Sequence, residues 1–342
     1  VHHQFASTIS NLKSLEKYSK QMYQDYWDGR KYNVSRDGEY ANQTFVVLAT
    51  ENRGRINTLA KKLASQDIEI YQNTKPLKVG STLKQNGETT DNYLIPAGSL
   101  VIPNLQPEAP LISAILEFDA EIIEPVLNEE RRKTLKNGSS IMYDTTAFNL
   151  TMMYGLEAVT VNQNLQRDLE PWSIDQKAVE INKDALIWVA NGVDDRSVPF
   201  AARLMELGVE VRIIDKESIL SGQEFPRGSV AVIAMDNPNF QNLPNTVQKV
   251  ASELNLGVAS VTSGFGAEEL PDWGGRHFRL LERPQVAILS YDDFSSYDVG
   301  VSWWSMDHYL GIRHSQINGS ALNYTDLRRY NTIIMPSGRG FS

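Results

Sequence analysis

The chain of 342 residues has no cysteine and only five histidines. The lack of cysteine excludes a disulfide framework, a thiolate zinc site and a cysteine nucleophile within these residues. It fits an oxidising compartment and the cytosol equally well. None of the histidines stands in the H-x-x-E or H-E-x-x-H spacing of catalytic zinc sites. We therefore predict no catalytic residue, no metal ligand and no bound cofactor within this chain.

Basic stripes, long apolar runs and nucleotide-binding loops are also missing. The formal net charge is −9 with no basic stripe, which argues against nucleic acid as a partner. No apolar run approaches the ~20 residues that span a bilayer, so we predict no membrane span. Neither G-x-G-x-x-G nor a P-loop is present after a predicted strand. The 41% hydrophobic content is typical of a globular chain with about two to three domains.

A Pro-x-Gly-Ser turn that leads into an apolar strand occurs twice, in Ile95–Ile102 and in Phe225–Val232. Proline fixes φ and glycine permits the tight turn, so each copy predicts a turn followed by a buried strand. The upstream segments repeat as well. Adding 141 superposes residues 45–70 on 186–211, whereas the turns differ by 130 because the first copy has 11 extra residues. This internal repeat predicts two tandem α/β units.

Four segments follow from this pattern. Residues 1–43 are a helix and a polar linker, 44–183 the first α/β unit, 184–283 a second unit that duplicates the first, and 284–342 the start of a third, truncated unit. Strands that alternate with helices favour parallel sheets. We therefore predict an α/β protein made of tandem duplicated three-layer units with mainly parallel sheets, flavodoxin-like or Rossmann-like, preceded by one N-terminal helix. Both chain ends look cut, so we expect a piece of a longer protein.

Acidic residues follow two predicted strands, 186–190 and 286–290, at the carboxyl ends where α/β sites usually lie. The weak candidates for ligand binding or acid–base chemistry are Asp194, Asp195, Asp292, Asp293 and His308. Acidic residues at such places also cap helices, which is the structural alternative. On the predicted helix 299–310, Trp303 and Trp304 are expected to pack under the sheet, with an aromatic sugar platform as the alternative.

Several stretches carry a resemblance to a known family. They are the first helix from Gln4 to Ile9, Ile95–Pro103 with Leu111-Ile112, Tyr143–Leu150 with Met153–Gly155, and the stretch from Arg283–Ile288 to Pro336–Gly338. In this order the chain resembles the region downstream of the catalytic domain in large bacterial zinc carboxypeptidases of the carboxypeptidase A type. Its last segment resembles the start of their class I glutamine amidotransferase-like domain.

The resemblance also implies where the family's chemistry lies. The zinc ligands and the catalytic glutamate of the family have no matching positions here and would lie upstream of Val1. Zinc is therefore expected in the upstream catalytic domain and not in this chain. The amidotransferase-like segment stops before any nucleophile elbow. Because the family is typically exported and acts on peptides or cell-wall peptides, the resemblance implies a periplasmic or extracellular location.

We therefore expect a non-catalytic accessory region of a bacterial zinc carboxypeptidase-like protein, whose parent would be a zinc-dependent metallocarboxypeptidase acting on peptides. Its role would be structural, in substrate access or in oligomerisation, with the upstream catalytic domain or a second copy as partner. One alternative is an amidotransferase-like or hydrolase enzyme completed beyond the chain end, using Asp292, Asp293 or His308. Another is a small-molecule-binding α/β module with its ligand at the loops after strands 45–49 and 186–190.

Overall fold

A computed structural model of the chain describes residues 2–118, 122–141, 149–173, 179–267, 269–291 and 294–338. The chain divides into two compact units, Val1–Ile174 and Asp175–Ser342, here called the N-terminal and the C-terminal unit. Each unit has sheets and a core of its own. The boundaries of the four segments predicted from the sequence are finer than this division and stay predictions.

The N-terminal unit is built around one antiparallel sheet. Its helices are α1 (His2–Asn33), α2 (Arg53–Ala64), α3 (Ala109–Leu116), α4 (Glu124–Asn137) and α5 (Leu150–Met153). Its strands are β1 (Thr44–Val47), β2 (Tyr71–Asn73), β3 (Leu77–Val79), β4 (Thr82–Lys84), β5 (Thr89–Thr90), β6 (Tyr93–Ile95), β7 (Leu100–Pro103), β8 (Ala158–Val161) and β9 (Leu169–Pro171). The sheet order is β5-β4-β8-β1-β7-β2-β9, and β3 pairs with β6 in a separate antiparallel ribbon.

The apolar run of β1 explains why this strand lies at the centre of the sheet. Successive side chains of a strand point to opposite faces. Phe45 and Val47 pack in the cluster that includes α2 and α3, and Val46 packs in the cluster that includes the β3–β6 ribbon. Helix α2 begins where the Asn52 side chain accepts a hydrogen bond from the Arg55 amide at 3.0 Å. Helices thus cover one face of the sheet and the ribbon covers the other.

The C-terminal unit holds a five-stranded antiparallel sheet and a three-stranded parallel sheet. Its helices are α6 (Ser197–Glu206), α7 (Leu243–Glu253) and α8 (Ser296–Trp304), which continues as a π-helix, Ser305–Leu310. Its strands are β10 (Ile187–Ala190), β11 (Arg212–Ile214), β12 (Ser218–Leu220), β13 (Gln223–Phe225), β14 (Val230–Ile233), β15 (Val258–Val261), β16 (Phe278–Leu280), β17 (Val286–Ser290), β18 (His314–Asn318) and β19 (Thr332–Ile334). The sheet orders are β15-β10-β14-β11-β16, the ribbon β12-β13, and the parallel sheet β18-β17-β19.

The same strand order occurs in both units. Five strands of the N-terminal sheet, β8-β1-β7-β2-β9, correspond to β15-β10-β14-β11-β16, and the β3–β6 ribbon corresponds to β12–β13. The glycines of the two Pro-x-Gly-Ser turns precede the corresponding strands β7 and β14. Both have positive φ, +84° at Gly98 and +93° at Gly228, a conformation that favours glycine. The segments matched in the sequence therefore lie at matching places in a five-strand order that the two sheets share.

The prediction of mainly parallel, flavodoxin-like or Rossmann-like sheets is wrong. Helix α2 joins β1 to β2, and these strands do run in the same direction, but β7 lies between them and is antiparallel to both. This is a split β-α-β arrangement, and β10, β14 and β11 repeat it. The prediction of three-layer units is corrected as well, because a β ribbon covers the face where a second helix layer was expected. Among the described residues, only β17, β18 and β19 pair in parallel.

Candidate functional site

The loop after β10, which contains Asp194 and Asp195, is held by a buried ion pair. The Asp194 carboxylate accepts hydrogen bonds from Arg196 Nε at 2.9 Å and from Arg196 Nη2 at 2.6 Å. Asp194 is 5% exposed, and Arg196 also donates to the Asn255 carbonyl. The Asp195 carbonyl accepts from the Tyr309 hydroxyl at 3.3 Å. These contacts place Asp194 in the packing of the loop, so its carboxylate is poorly placed to meet a ligand.

His308 lies on the π-helix beside two tryptophans. Its ring is 5.5 Å from the Trp303 ring in an edge-on arrangement and 5.9 Å from the Trp304 ring in a stacked one. Its Nε2 is 3.7 Å from an Asp307 carboxylate oxygen. Trp303 is 37% exposed and Trp304 is 55% exposed, so the expectation that they pack under the sheet is wrong. Asp292 and Asp293 lie outside the described residues.

A histidine–aspartate pair at the edge of the antiparallel sheet lacks the geometry of a catalytic pair. His277 Nδ1 is 2.7 Å from Asp215 Oδ1. His277 Nε2 accepts a hydrogen bond from Arg276 Nε at 3.3 Å, which assigns the proton to Nδ1. In a nucleophilic site, the second ring nitrogen takes the proton of a hydroxyl or thiol. Here that nitrogen contacts Arg276, and no hydroxyl or thiol of the described residues is hydrogen-bonded to it.

Helix α1 presents an apolar face that the described chain leaves uncovered. None of its side chains is buried. At 100° per residue, a set of large apolar residues falls on one side of the helix. They are Phe5, Ile9, Leu12, Leu15, Met22, Tyr23, Tyr26 and Trp27, with exposed fractions between 36% and 76%. An exposed apolar stripe of this size marks an interaction surface.

The C-terminal end of α1 is fixed to the N-terminal unit. The Arg30 guanidinium forms an ion pair with Glu108 and lies 4.7 Å from the centre of the Tyr26 ring. The Asn33 side chain donates to the Pro107 carbonyl at 2.9 Å. These contacts all lie in the last turns of α1. They attach that end of the helix to the loop around Glu108 and leave the apolar side chains of the earlier turns uncovered within the described chain.

Three arginines come together in a groove at the amino-terminal edge of the parallel sheet. Arg283, Arg313 and Arg329 each stand one to three residues before a strand, namely β17, β18 and β19. Parallel pairing aligns Val286 with His314 and with Thr332, which brings the three strand starts to one edge. The groove has a volume of about 530 Å³. Glu206, at the end of α6, is its single carboxylate.

Glu206 pairs with two of the arginines of this groove. Its Oε2 is 3.1 Å from Arg283 Nη2, and its Oε1 contacts Arg313 Nε. Burial raises the pKa of Glu206, whereas hydrogen bonds and charges from Arg313 and Arg283 lower it. The arginines have the larger effect together, so the pKa lies below its ordinary value. Arg329 makes no hydrogen bond or ion pair with any residue in the described ranges. His314 Nδ1, also in the groove, is buried without a hydrogen-bond partner.

Sequence reasoning missed this groove, although one signal pointed to it. Each strand of the third predicted segment is preceded by arginine, in Arg283-Pro284, Arg313-His314 and Arg328-Arg329. The sequence predicts parallel sheets but no strand over 314–318, so it does not bring Arg313 to one edge with Arg283 and Arg329. The predicted candidates lie instead at the carboxyl ends of the strands, where the loops of α/β proteins usually carry sites.

Comparison with known proteins gives no relative for this chain. No family model, no curated protein and no solved structure matches it. Within the described ranges, no group of three or more histidine, aspartate or glutamate side chains is arranged to hold a metal ion. No helix in those ranges is both long and apolar enough to cross a membrane. The candidate surfaces must therefore be judged by their own geometry.

Proposed function

We propose that this chain is a non-catalytic accessory region that docks on the catalytic domain of a zinc carboxypeptidase-like protein through the apolar face of α1. The observation that carries the proposal is a helix of 32 residues on which no side chain is buried but large apolar residues share one face. Such a helix is about 48 Å long. Helical stability in proteins comes mostly from packing of an amphipathic face, so this face calls for a partner.

An upstream catalytic domain is the occupant that the position of α1 and the resemblance favour. Helix α1 is the first element of the chain, and it resembles the helix that leaves the catalytic domain in the bacterial zinc carboxypeptidases. A helix in that position would lie beside the upstream domain. Its anchoring at Arg30 and Asn33 leaves Phe5 to Trp27 for such a contact. A second copy of the chain is the competing occupant.

Two features support a non-catalytic role. Asp194 is engaged in a buried ion pair with Arg196, and the second nitrogen of His277 is occupied by Arg276. Both are therefore poorly suited to acid–base work. The amidotransferase-like and hydrolase alternatives stay predictions, as does a small-molecule site at the loops after strands 45–49 and 186–190. No contact among the described residues at those places favours one of them over docking.

Photo-crosslinking in the protein encoded by the full reading frame tests the docking. The variant Leu12→p-benzoylphenylalanine places the probe on the apolar face, and Ser14→p-benzoylphenylalanine places it on the opposite face as the matched control. We expect the first probe to crosslink to residues upstream of this chain and the second to give no such product. Crosslinks between two copies, or none at all, would refute docking on the catalytic domain.

A zinc titration of the 342-residue chain with a peptidase assay tests the non-catalytic role. We expect no stoichiometric zinc binding and no release of C-terminal residues from a peptide. Tight binding of one zinc per chain together with carboxypeptidase turnover would contradict the proposal. This outcome is separate from the crosslinking result, because a chain can dock and still be inactive.

A further inference from the structure

We infer that the groove of Arg283, Arg313 and Arg329 is a binding site for a doubly charged oxyanion, such as a phosphate group or a dicarboxylate, on a small molecule. This site lies in the C-terminal unit and does not depend on the role of α1. Its three guanidinium groups and one carboxylate leave a formal charge of +2 in a space of about 530 Å³. That charge calls for an anion.

Within the lining of the groove, Glu206 offsets one of the three positive charges. Glu206 carries one negative charge and shares it between Arg283 and Arg313. Arg329 lines the same groove and makes no hydrogen bond or ion pair within 4 Å in the described ranges, although the Asp326 carboxylate interacts with its charge from farther away. A guanidinium has five N–H donors. Arg283 and Arg313 each direct one of them at Glu206, so most donors of the three arginines remain for a ligand.

Two of the three guanidinium groups are held by Glu206 before a ligand arrives. Glu206 is 17% exposed at its side chain and fixes two guanidiniums from the end of α6. The parallel register of β17, β18 and β19 fixes the backbone from which all three arginines project. Planar guanidinium groups bind carboxylate and phosphate oxygens in pairs. Glu206 is therefore a positioning residue, and the arginines are the binding residues.

The remaining lining fits a polar ligand larger than an ion. His314 Nδ1 is buried in the groove wall without a hydrogen-bond partner, and buried polar atoms are normally paired. Gln285, Ser315 and Tyr330 add further polar groups to the lining. Arg283 also borders a second groove of about 500 Å³ that contains Glu210 and Glu282. Arg329 is consequently the cleaner residue for a test.

Isothermal titration of the full chain with inorganic phosphate and, separately, with succinate tests the site. The variant is Arg329→Gln, and the matched control is Arg328→Gln, the preceding residue of the same turn. Arg328 pairs with Asp326 and does not line the groove. We expect Arg329→Gln to weaken binding about tenfold or more, and Arg328→Gln to change it less than about twofold.

The outcomes of this titration are distinct. Binding of phosphate alone supports a phosphate-bearing ligand, and binding of succinate alone supports a dicarboxylate. Failure of both probes to bind would overturn the site, as would equal weakening by the two variants. A titration with potassium chloride at matched ionic strength is the control for charge screening. If potassium chloride released as much heat as phosphate or succinate, the proposed site would also be overturned. Thermal midpoints without ligand verify that both variants fold.

Discussion

A single buried hydroxyl closes each Pro-x-Gly-Ser turn. Ser99 Oγ donates to the Pro96 carbonyl at 2.8 Å and accepts from the Ala49 amide at 3.0 Å. Ser229 Oγ donates to the Pro226 carbonyl at 2.7 Å and accepts from the Gly192 amide at 3.1 Å. In both units, the turn is thereby tied to the loop that follows the central strand.

Replacing either hydroxyl should destabilise its own unit. Ser99→Ala leaves the Ala49 amide without its partner and Ser229→Ala leaves the Gly192 amide without its partner, each at a cost of about 1 kcal/mol. The two carbonyls keep other donors, Asn73 Nδ2 for Pro96 and the Ser229 amide for Pro226. Urea unfolding measures the free energy. The control Ser81→Ala, at an exposed serine, should change it by less than about 0.5 kcal/mol. Values near zero at both turns would mean that water replaces the hydroxyl.

Gly192 is required because the backbone of the second turn approaches it closely. A Cβ at this position would lie 2.3 Å from the Gly228 carbonyl carbon and 2.4 Å from the Ser229 amide nitrogen. We expect Gly192→Ala to lower the free energy of unfolding by about 3 kcal/mol or more, since backbone atoms must shift. Gly257→Ala, where no atom lies within 4 Å of the added carbon, is the control. Equal stability of the two variants would contradict this contact.

The lowered pKa of Glu206 makes part of the stability depend on pH. A carboxyl group whose folded pKa is depressed stabilises the protein above its ordinary pKa, here 4.5, and loses this effect as the pH falls through the folded value. At pH 7 we expect Glu206→Gln to cost about 2 kcal/mol through its two charged hydrogen bonds. The difference from the unmodified protein should shrink below about pH 4.5. Glu253→Gln, at an exposed ion pair, should show little effect at any pH.

At the scale of single residues, the sequence indicates types of chemistry but not their partners. Asp194 follows a strand as predicted, yet its carboxylate belongs to Arg196, two residues later. The three arginines are far apart in the sequence and meet only through parallel pairing of β17 with β18 and β19. The spacing of Asp194 and Arg196 in the sequence permits their ion pair but does not predict it. The spacing of the three arginines gives no sign that they meet.

At the scale of elements, α1 gives the sharpest test of exposure. If its apolar face is uncovered, Leu12→Glu and Leu15→Glu should change the free energy of unfolding of the chain by less than about 0.5 kcal/mol each. The control Leu59→Ala, at a fully buried side chain of α2, should cost about 3 kcal/mol. A cost of that size at Leu12 would show that the face packs on the chain itself, and docking would lose its basis.

The positions of the strands were easier to predict than their directions. Apolar runs predicted strands at 186–190 and 286–290, and the structure has them at Ile187–Ala190 and Val286–Ser290. Burial on both faces explains these continuous apolar runs. Direction depends instead on which strand lies between two others. A helix between β10 and β11 shows that these run the same way, but it cannot show that β14 enters between them.

At the scale of the whole molecule, the repeat was the most informative feature of the sequence. It placed Gly98 and Gly228 at corresponding turns, and both precede a strand that pairs with the central strand of its sheet. The prediction of parallel sheets was wrong because the alternation of strands and helices in the sequence is the same for a simple β-α-β unit and for a split one. Only the structure shows that β7 lies between β1 and β2, and that β14 lies between β10 and β11.

Helix α6 packs on the parallel sheet of the C-terminal unit. The C-terminal unit places Ala202 of α6 in one cluster with Val286, Ile288 and Ile312, and Glu206 of α6 holds Arg283 and Arg313. The segment 284–342, predicted from the sequence as a separate unit, therefore lacks part of its own packing when cut away. A domain of about 170 residues is large enough for an independent core.

We therefore expect Asp175–Ser342 to fold on its own and 284–342 to remain unfolded. Circular dichroism and urea unfolding of the two fragments should show a cooperative transition for the first and none for the second. Ala202→Asp within the longer fragment is the matched test of the shared cluster, since it buries a charge against Val286 and Ile288. It should abolish or strongly weaken the transition. A stable, cooperative 284–342 fragment would show instead that the parallel sheet is a domain independent of α6.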